Sequence, residues 1–211
     1  MIISVIFVLL FLAFLMGIIL VPKIDGKINM IKVAVMGIMA IFCYQSFWAF
    51  MFQLVGIPVN LKSTCISMAA AVLLLWGMII KKKKMQRIFV RITDIAVLAV
   101  LAGIVIAVSL HMFTPYLRLS YINSDPANHF NDAMVIVKQG VLGKHIYFSA
   151  FVNAMFIEIF SPILIVSKYY KAFIFADIFM HVLEVWMCYV LMLTVSEKKI
   201  VRIFAPVFAL G

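Results

Sequence analysis

Long apolar runs dominate this chain and decide what it can fold into. About twenty apolar residues suffice for a helix to cross the hydrocarbon core of a bilayer. The sequence predicts six complete spans, at about 1–21, 33–57, 63–80, 92–112, 146–166 and 172–195, and the start of a seventh at 203–211. The first run lacks a basic leader and a small-residue cleavage site, so we expect a retained helix rather than a signal peptide. The last run stops within its apolar stretch, and we expect a piece of a longer protein.

Composition supports a membrane protein over a soluble domain. Hydrophobic residues make up 67% of the 211 positions and charged residues 12%, with a mean hydropathy of +1.20. A soluble domain of this size needs a larger polar surface. We therefore predict an all-α fold, a polytopic transmembrane helix bundle, multi-pass in the cell membrane with the lipid bilayer as its partner. The net charge of +10 lies in short runs between apolar stretches rather than along a soluble face, which argues against nucleic-acid binding.

Loop charges predict the orientation of the spans. The loops at 22–32 and 81–91 are rich in lysine and arginine, which favours the cytoplasmic side. This places the polar segment 113–145 outside, sends the fifth span inward and brings the sixth span outward again. The basic stretch at 197–202 then lies outside, against the rule. The alternative is that the fifth segment is re-entrant.

The long polar segment contains the first candidate site. Asp125 precedes Pro126, which is typical of a helix start. The helix that follows is predicted to be amphipathic and extracytoplasmic, lying along the membrane, with Asp125, His129 and Asp132 on one face. In the functional interpretation Asp125 is a general base, and His129 and Asp132 bind substrate, a metal or a phosphate. In the structural interpretation Asp125 is a helix cap and the other two are solvated. His145 is a further candidate for the same cavity.

The second candidate site lies within the apolar runs themselves. Asp177, His181 and Glu184 are spaced along one face of the predicted sixth span, and Glu158 lies in the fifth. Ionisable groups at membrane depth are costly and usually face a bundle interior or a water-filled cavity. These four indicate a substrate-cavity wall, a proton relay of a transporter, or buried pairs that hold helices together. No complete metal site is visible in the sequence, and a divalent-metal cofactor is left open.

Residues 120–211 resemble the start of the catalytic core of GT-C glycosyltransferases, a superfamily that includes protein O-mannosyltransferases and aminoarabinose transferases. Asp125 matches the acidic position of their first large extracytoplasmic loop, although many members have two adjacent acidic residues there. Ala127–Gln139 matches the juxtamembrane helix of these enzymes, and Gly143–Tyr147 matches the linker with glycine and tyrosine that follows it. Pro162 and Pro206 match the prolines of their next two spans.

The resemblance implies an integral membrane enzyme that transfers a sugar from a polyprenyl-phosphate donor on the extracytoplasmic side, in surface polysaccharide or glycoconjugate assembly. The corresponding parts are an N-terminal four-helix module at 1–112, the loop with its juxtamembrane helix at 113–145, and the start of the core-like bundle at 146–211. A transporter or flippase, and a noncatalytic envelope-assembly protein, are the alternatives. As a piece of a longer enzyme, the chain is expected to be inactive alone.

Overall fold

The computed structural model describes residues 2–21, 27–81, 87–113, 125–143, 148–196 and 198–208. Within these ranges the chain is almost entirely helical, with two strands of three residues each and a 3-10 turn at Val166–Lys168. The α-helices are, in chain order, α1 (Ile2–Leu20), α2 (Met30–Leu54), α3 (Leu61–Lys81), α4 (Ile92–Phe113), α5 (Asp125–Gln139), α6 (Phe148–Phe160), α7 (Tyr169–Val195) and α8 (Lys199–Phe208).

The described residues confirm that the fold is mostly helical, as predicted. Four of the described helices are long and apolar enough to cross a membrane, and they correspond to α2, α3, α4 and α7. Shorter apolar helices occur at Ile6–Leu20, within α1, and at Phe148–Phe160, which is α6. Large apolar side chains such as Phe7, Leu73 and Ile92 are exposed on the outside of these helices, as expected of surfaces that face lipid.

Glycine brings α1 and α2 into unusually close contact. A β-carbon at Gly37 would lie 1.8 Å from the carbonyl oxygen of Ala13, and one at Gly17 would lie 2.0 Å from that of Val33. Only glycine leaves space for the two backbones at these positions. Lipid-embedded helices gain little from the hydrophobic effect on association, so close packing at small residues is a principal source of their affinity.

One end of the bundle is built from residues far apart in sequence. Strands β1 (Lys27–Asn29) and β2 (Arg87–Phe89) pair in parallel immediately before α2 and α4. The C-terminal part of α7 meets the same end, where Lys32 Nζ donates a hydrogen bond to Thr194 Oγ1 at 2.9 Å. We call this region the basic end, since lysine and arginine side chains surround it.

The opposite end, which we call the α5 end, is closed by short connections. The Val59 amide donates to the Gly140 carbonyl at 2.7 Å, and the Leu142 amide donates to Gln53 Oε1 at 3.1 Å. Gly140 ends α5 with a φ of 66°, a conformation that glycine adopts without strain. These bonds join the α2–α3 connection to the residues that follow α5.

The structure corrects the predicted paths of the fifth and sixth spans. Helix α6 has 13 residues, so at 1.5 Å per residue it extends only about 20 Å, less than the roughly 30 Å of a hydrocarbon core. It ends at Phe160, close before Pro162, which has no amide hydrogen for a helical bond. Helix α7 then runs from the α5 end to the basic end, opposite to the predicted direction. The re-entrant alternative for the fifth segment fits this arrangement, and the basic residues after α7 join the other basic residues.

Candidate functional site

Helix α5 forms where the sequence predicts it and packs against the bundle. It begins at Asp125 and has the predicted apolar stripe, with Phe130 edge-on to Phe173 of α7 at a centroid distance of 5.5 Å. Its polar face is less open than predicted, because Ile136 on that face is 1% exposed. Helix α5 therefore buries more of its surface than an amphipathic helix that contacts a bilayer only through its apolar face.

The three candidate residues of α5 have different surroundings. The side chain of Asp125 and the whole of His145 lie outside the described residues, so their predicted roles stay predictions. Asp132 is half-buried beside Gly143, where a β-carbon would lie 3.3 Å from Asp132 Oδ1. His129 is half-buried and interacts electrostatically with Asp177. The fold thus brings His129 of the first candidate site close to Asp177 of the second.

The polar residues of α7 form a partly exposed row. His181 Nδ1 lies 2.9 Å from the Asp177 carbonyl oxygen and 3.8 Å from Asp177 Oδ2. The side chains of His181 and Asp177 are 54% and 27% exposed, and Glu184 is also exposed. His129, Asp177 and His181 therefore constitute a group of titratable side chains that α5 and α7 share. Such a group can exchange protons or bind a polar ligand at the edge of the bundle.

Glu158, in α6, has a structural partner at the start of α3. Its Oε2 accepts a short hydrogen bond from the Leu61 amide at the start of α3. Asn60 adds side-chain bonds to the amides of Lys62 and Ser63, at 2.9 and 3.1 Å. A carboxylate at a helix N-terminus satisfies an amide that has no partner within the helix and interacts favourably with the helix dipole. The charged groups that act on Asp177 are His181 and His129, and the grouping of Glu158 with the α7 residues stays a prediction.

The bundle interior contains polar side chains that the sequence did not single out as a site. Ser67 Oγ of α3 donates to Gln45 Oε1 of α2 at 2.6 Å, a bond that joins the two helices. Asn153 of α6 is 1% exposed, and in the described structure neither its amide nitrogen nor its oxygen has a hydrogen-bond partner. Buried polar atoms are nearly always hydrogen-bonded, so burial of the Asn153 amide lowers the stability of the core.

A second polar cluster, at the basic end, was missed by sequence reasoning. Asp94 is 5% exposed and accepts bonds from Tyr189 Oη at 3.0 Å and Asn29 Nδ2 at 3.4 Å. Beside it a cavity of about 200 Å³ is lined by the polar side chains of Lys27, Asn29, Lys32, Arg91 and Arg202. Two features of the sequence could have indicated this cluster. Asp94 lies in the first turn of the apolar helix α4, and Lys32 lies near the start of the apolar helix α2.

The part of the chain that the structure describes contains no complete metal site. There, no group of three or more His, Cys, Asp or Glu side chains is arranged to hold an ion. His129, Asp177 and His181 supply one carboxylate and two imidazoles, without a position that all three share. The question of a divalent cofactor therefore stays as the sequence left it.

Comparison of the chain with protein-family models, with curated proteins and with solved structures gave no match.

Proposed function

We propose that this protein is a glycosyltransferase of the cell membrane, of the GT-C type, which uses a polyprenyl-phosphate-linked sugar at the α5 end of the bundle. The observation that carries the proposal is the position of α5. This amphipathic helix begins at Asp125, follows a spanning helix and packs at the end opposite the basic end. By the loop-charge rule the basic end is cytoplasmic, so the α5 end is extracytoplasmic.

The proposed chemistry follows from that position. A lipid-linked donor presents its anomeric carbon at the membrane surface, and a catalytic base for the acceptor hydroxyl must be held there on a rigid element. Helix α5 supplies such an element, because its buried residues Ala133 and Ile136 join the same core as α6. Asp125 is the proposed base. His129 and Asp132, one and two turns further along, are proposed to contact donor or acceptor.

The decisive experiment is Asp125→Asn in the full-length protein as it is encoded. Membranes are supplied with radiolabelled polyprenyl-phosphate sugars extracted from the same cells, and incorporation into native acceptors is followed. Removal of a general base is expected to lower transfer by about 10²–10⁴-fold. Asp94→Asn at the basic end is the matched control, and its transfer per folded molecule is expected to stay near that of the wild type. Undiminished transfer by a folded Asp125→Asn protein would reject the proposal.

The transporter alternative is favoured by a different observation, the electrostatic grouping of His129 with Asp177 and His181 across α5 and α7. A proton relay through this group predicts that Asp177→Asn abolishes proton-coupled flux in reconstituted vesicles while sugar transfer is absent from the wild type. A Glu184→Gln variant tests the outer part of the row. Sugar transfer without proton coupling would exclude this alternative, and absence of both activities would indicate a noncatalytic envelope protein.

A further inference from the structure

The cavity at the basic end has the composition of an anion site. Its volume is about 200 Å³, and it is lined by four cationic side chains, those of Lys27, Lys32, Arg91 and Arg202, together with Asn29. Three apolar side chains complete its walls, those of Val21 just after α1, Phe89 of β2 and Leu193 of α7. Since one water molecule takes about 30 Å³ in the liquid, the cavity has space for a polyatomic anion with part of its hydration shell.

Charge is not balanced within the described part of this cavity's surroundings. The nearby carboxylate of Asp94 is one negative charge against four positive ones, and both of its oxygens accept bonds, from Asn29 and Tyr189. Closely spaced cations repel one another, and burial makes an uncompensated charge costly. An anion with two charges would relieve most of this repulsion.

Two of the four cationic side chains, those of Lys32 and Arg202, are hydrogen-bonded to the bundle, whereas Lys27 and Arg91 are exposed. Lys32 is 7% exposed and its ammonium bonds to Thr194 Oγ1 at 2.9 Å, which leaves further donors for a ligand. Arg202 Nε donates to the Ser196 carbonyl, and the Arg91 guanidinium lies 5.7 Å from the Phe89 ring centroid. Lys62 and Lys138 near the α5 end are exposed as well, and neither lines this cavity. Fixed donors around a cavity bind an anion with a smaller loss of side-chain entropy than flexible surface lysines.

We infer that this cavity binds a phosphoryl group at the membrane surface. Two guanidinium groups and two ammonium groups match the several oxygens and the negative charge of a phosphate, which arginine binds in a bidentate manner. The phosphate belongs either to a lipid headgroup or to a soluble molecule, and the chemistry of recognition is the same for both. The inference does not depend on sugar transfer, which is proposed for the opposite end.

The test is the thermal unfolding of purified full-length protein in zwitterionic detergent with three probes: inorganic phosphate, dioctanoyl phosphatidic acid and dioctanoyl phosphatidylcholine. A ligand that binds only the folded state raises the unfolding temperature in proportion to the logarithm of its concentration over Kd. We expect stabilisation by at least one of the first two probes and none by the zwitterionic lipid. Stabilisation by phosphate identifies a site for soluble anions, and stabilisation by phosphatidic acid alone identifies a lipid headgroup site.

Variants locate the site. Arg202→Gln and Lys27→Gln are each expected to weaken the apparent affinity about tenfold or more, as the loss of a hydrogen bond to a charged group does. Lys62→Gln and Lys138→Gln remove the same charge near the other end and are expected to leave the affinity unchanged. Should Arg202→Gln fold poorly, Lys27→Gln provides the same comparison from an exposed position. Equal weakening by all four variants, or no stabilisation of the wild type by either phosphate probe, would overturn the inference.

Discussion

Replacement of Gly37 by alanine is expected to destabilise the bundle, against the usual effect of this change in a helix. The added β-carbon would lie 1.8 Å from the Ala13 carbonyl oxygen, whereas ordinary contact begins at 3.4 Å. The two helices must therefore separate by more than 1 Å at this crossing. Overpacking of this kind costs about 1–3 kcal/mol, and contacts on either side are lost as well. The free energy of unfolding should fall by at least that amount.

Gly103 and Gly77 supply the matched controls, because a β-carbon at either position meets nothing within 4 Å. Alanine is the better helix former by about 1 kcal/mol, so Gly103→Ala and Gly77→Ala should be neutral or stabilising. The assay is unfolding in mixed micelles with increasing sodium dodecyl sulfate, followed by circular dichroism. If Gly37→Ala proved as stable as Gly103→Ala, the close crossing of α1 and α2 would be refuted.

Two further substitutions test the packing of the two ends. Tyr189→Phe removes a donor from the buried Asp94 carboxylate and should lower the free energy of unfolding in the same assay by about 1–3 kcal/mol; an unchanged value would contradict the bond. Phe130→Ala removes the edge contact with Phe173 and should release α5, seen as faster proteolysis within residues 125–143. Asn131→Ala, at an exposed position of the same helix, should be cleaved at the wild-type rate.

Helices with clear apolar limits could be predicted from the sequence. The predicted spans at 33–57, 63–80 and 92–112 correspond to α2, α3 and α4 within three residues at either end, and the Asp125–Pro126 pair correctly predicts the start of α5. In each case the signal is local. A polar residue, a proline or a charge run lies next to the apolar stretch and decides where the helix begins or ends.

The fifth segment shows where counting apolar residues fails. Residues 146–166 contain enough hydrophobic side chains for a span, but hydropathy does not register that a helix must end near Pro162. With α6 too short to cross, α7 runs toward the basic end, so Lys198 and Arg202 lie with the other cations there. Lys168 and Lys171 at its start lie at the α5 end. The wrong direction came from the assumption of one crossing per apolar run. The orientation that loop charge predicts stays a prediction.

Contacts between distant residues had no signal in the sequence. The pairing of Lys27–Asn29 with Arg87–Phe89 joins two three-residue strands that are separated by two helices. The proximity of His129 and Asp177 likewise depends on how α5 packs against α7. Both result from tertiary packing, which helical periodicity along a single segment does not encode.

The central claim is that α7 crosses the membrane, so that the α5 end and the basic end lie on opposite sides of it. It is tested most directly by cysteine labelling of intact cells with a membrane-impermeant maleimide, after replacement of the native Cys43, Cys65 and Cys188. A single cysteine placed by Lys138→Cys on α5 should react from outside, and one placed by Lys198→Cys after α7 should react only once the cells are permeabilised. Reaction of both positions from the same side would contradict the claim.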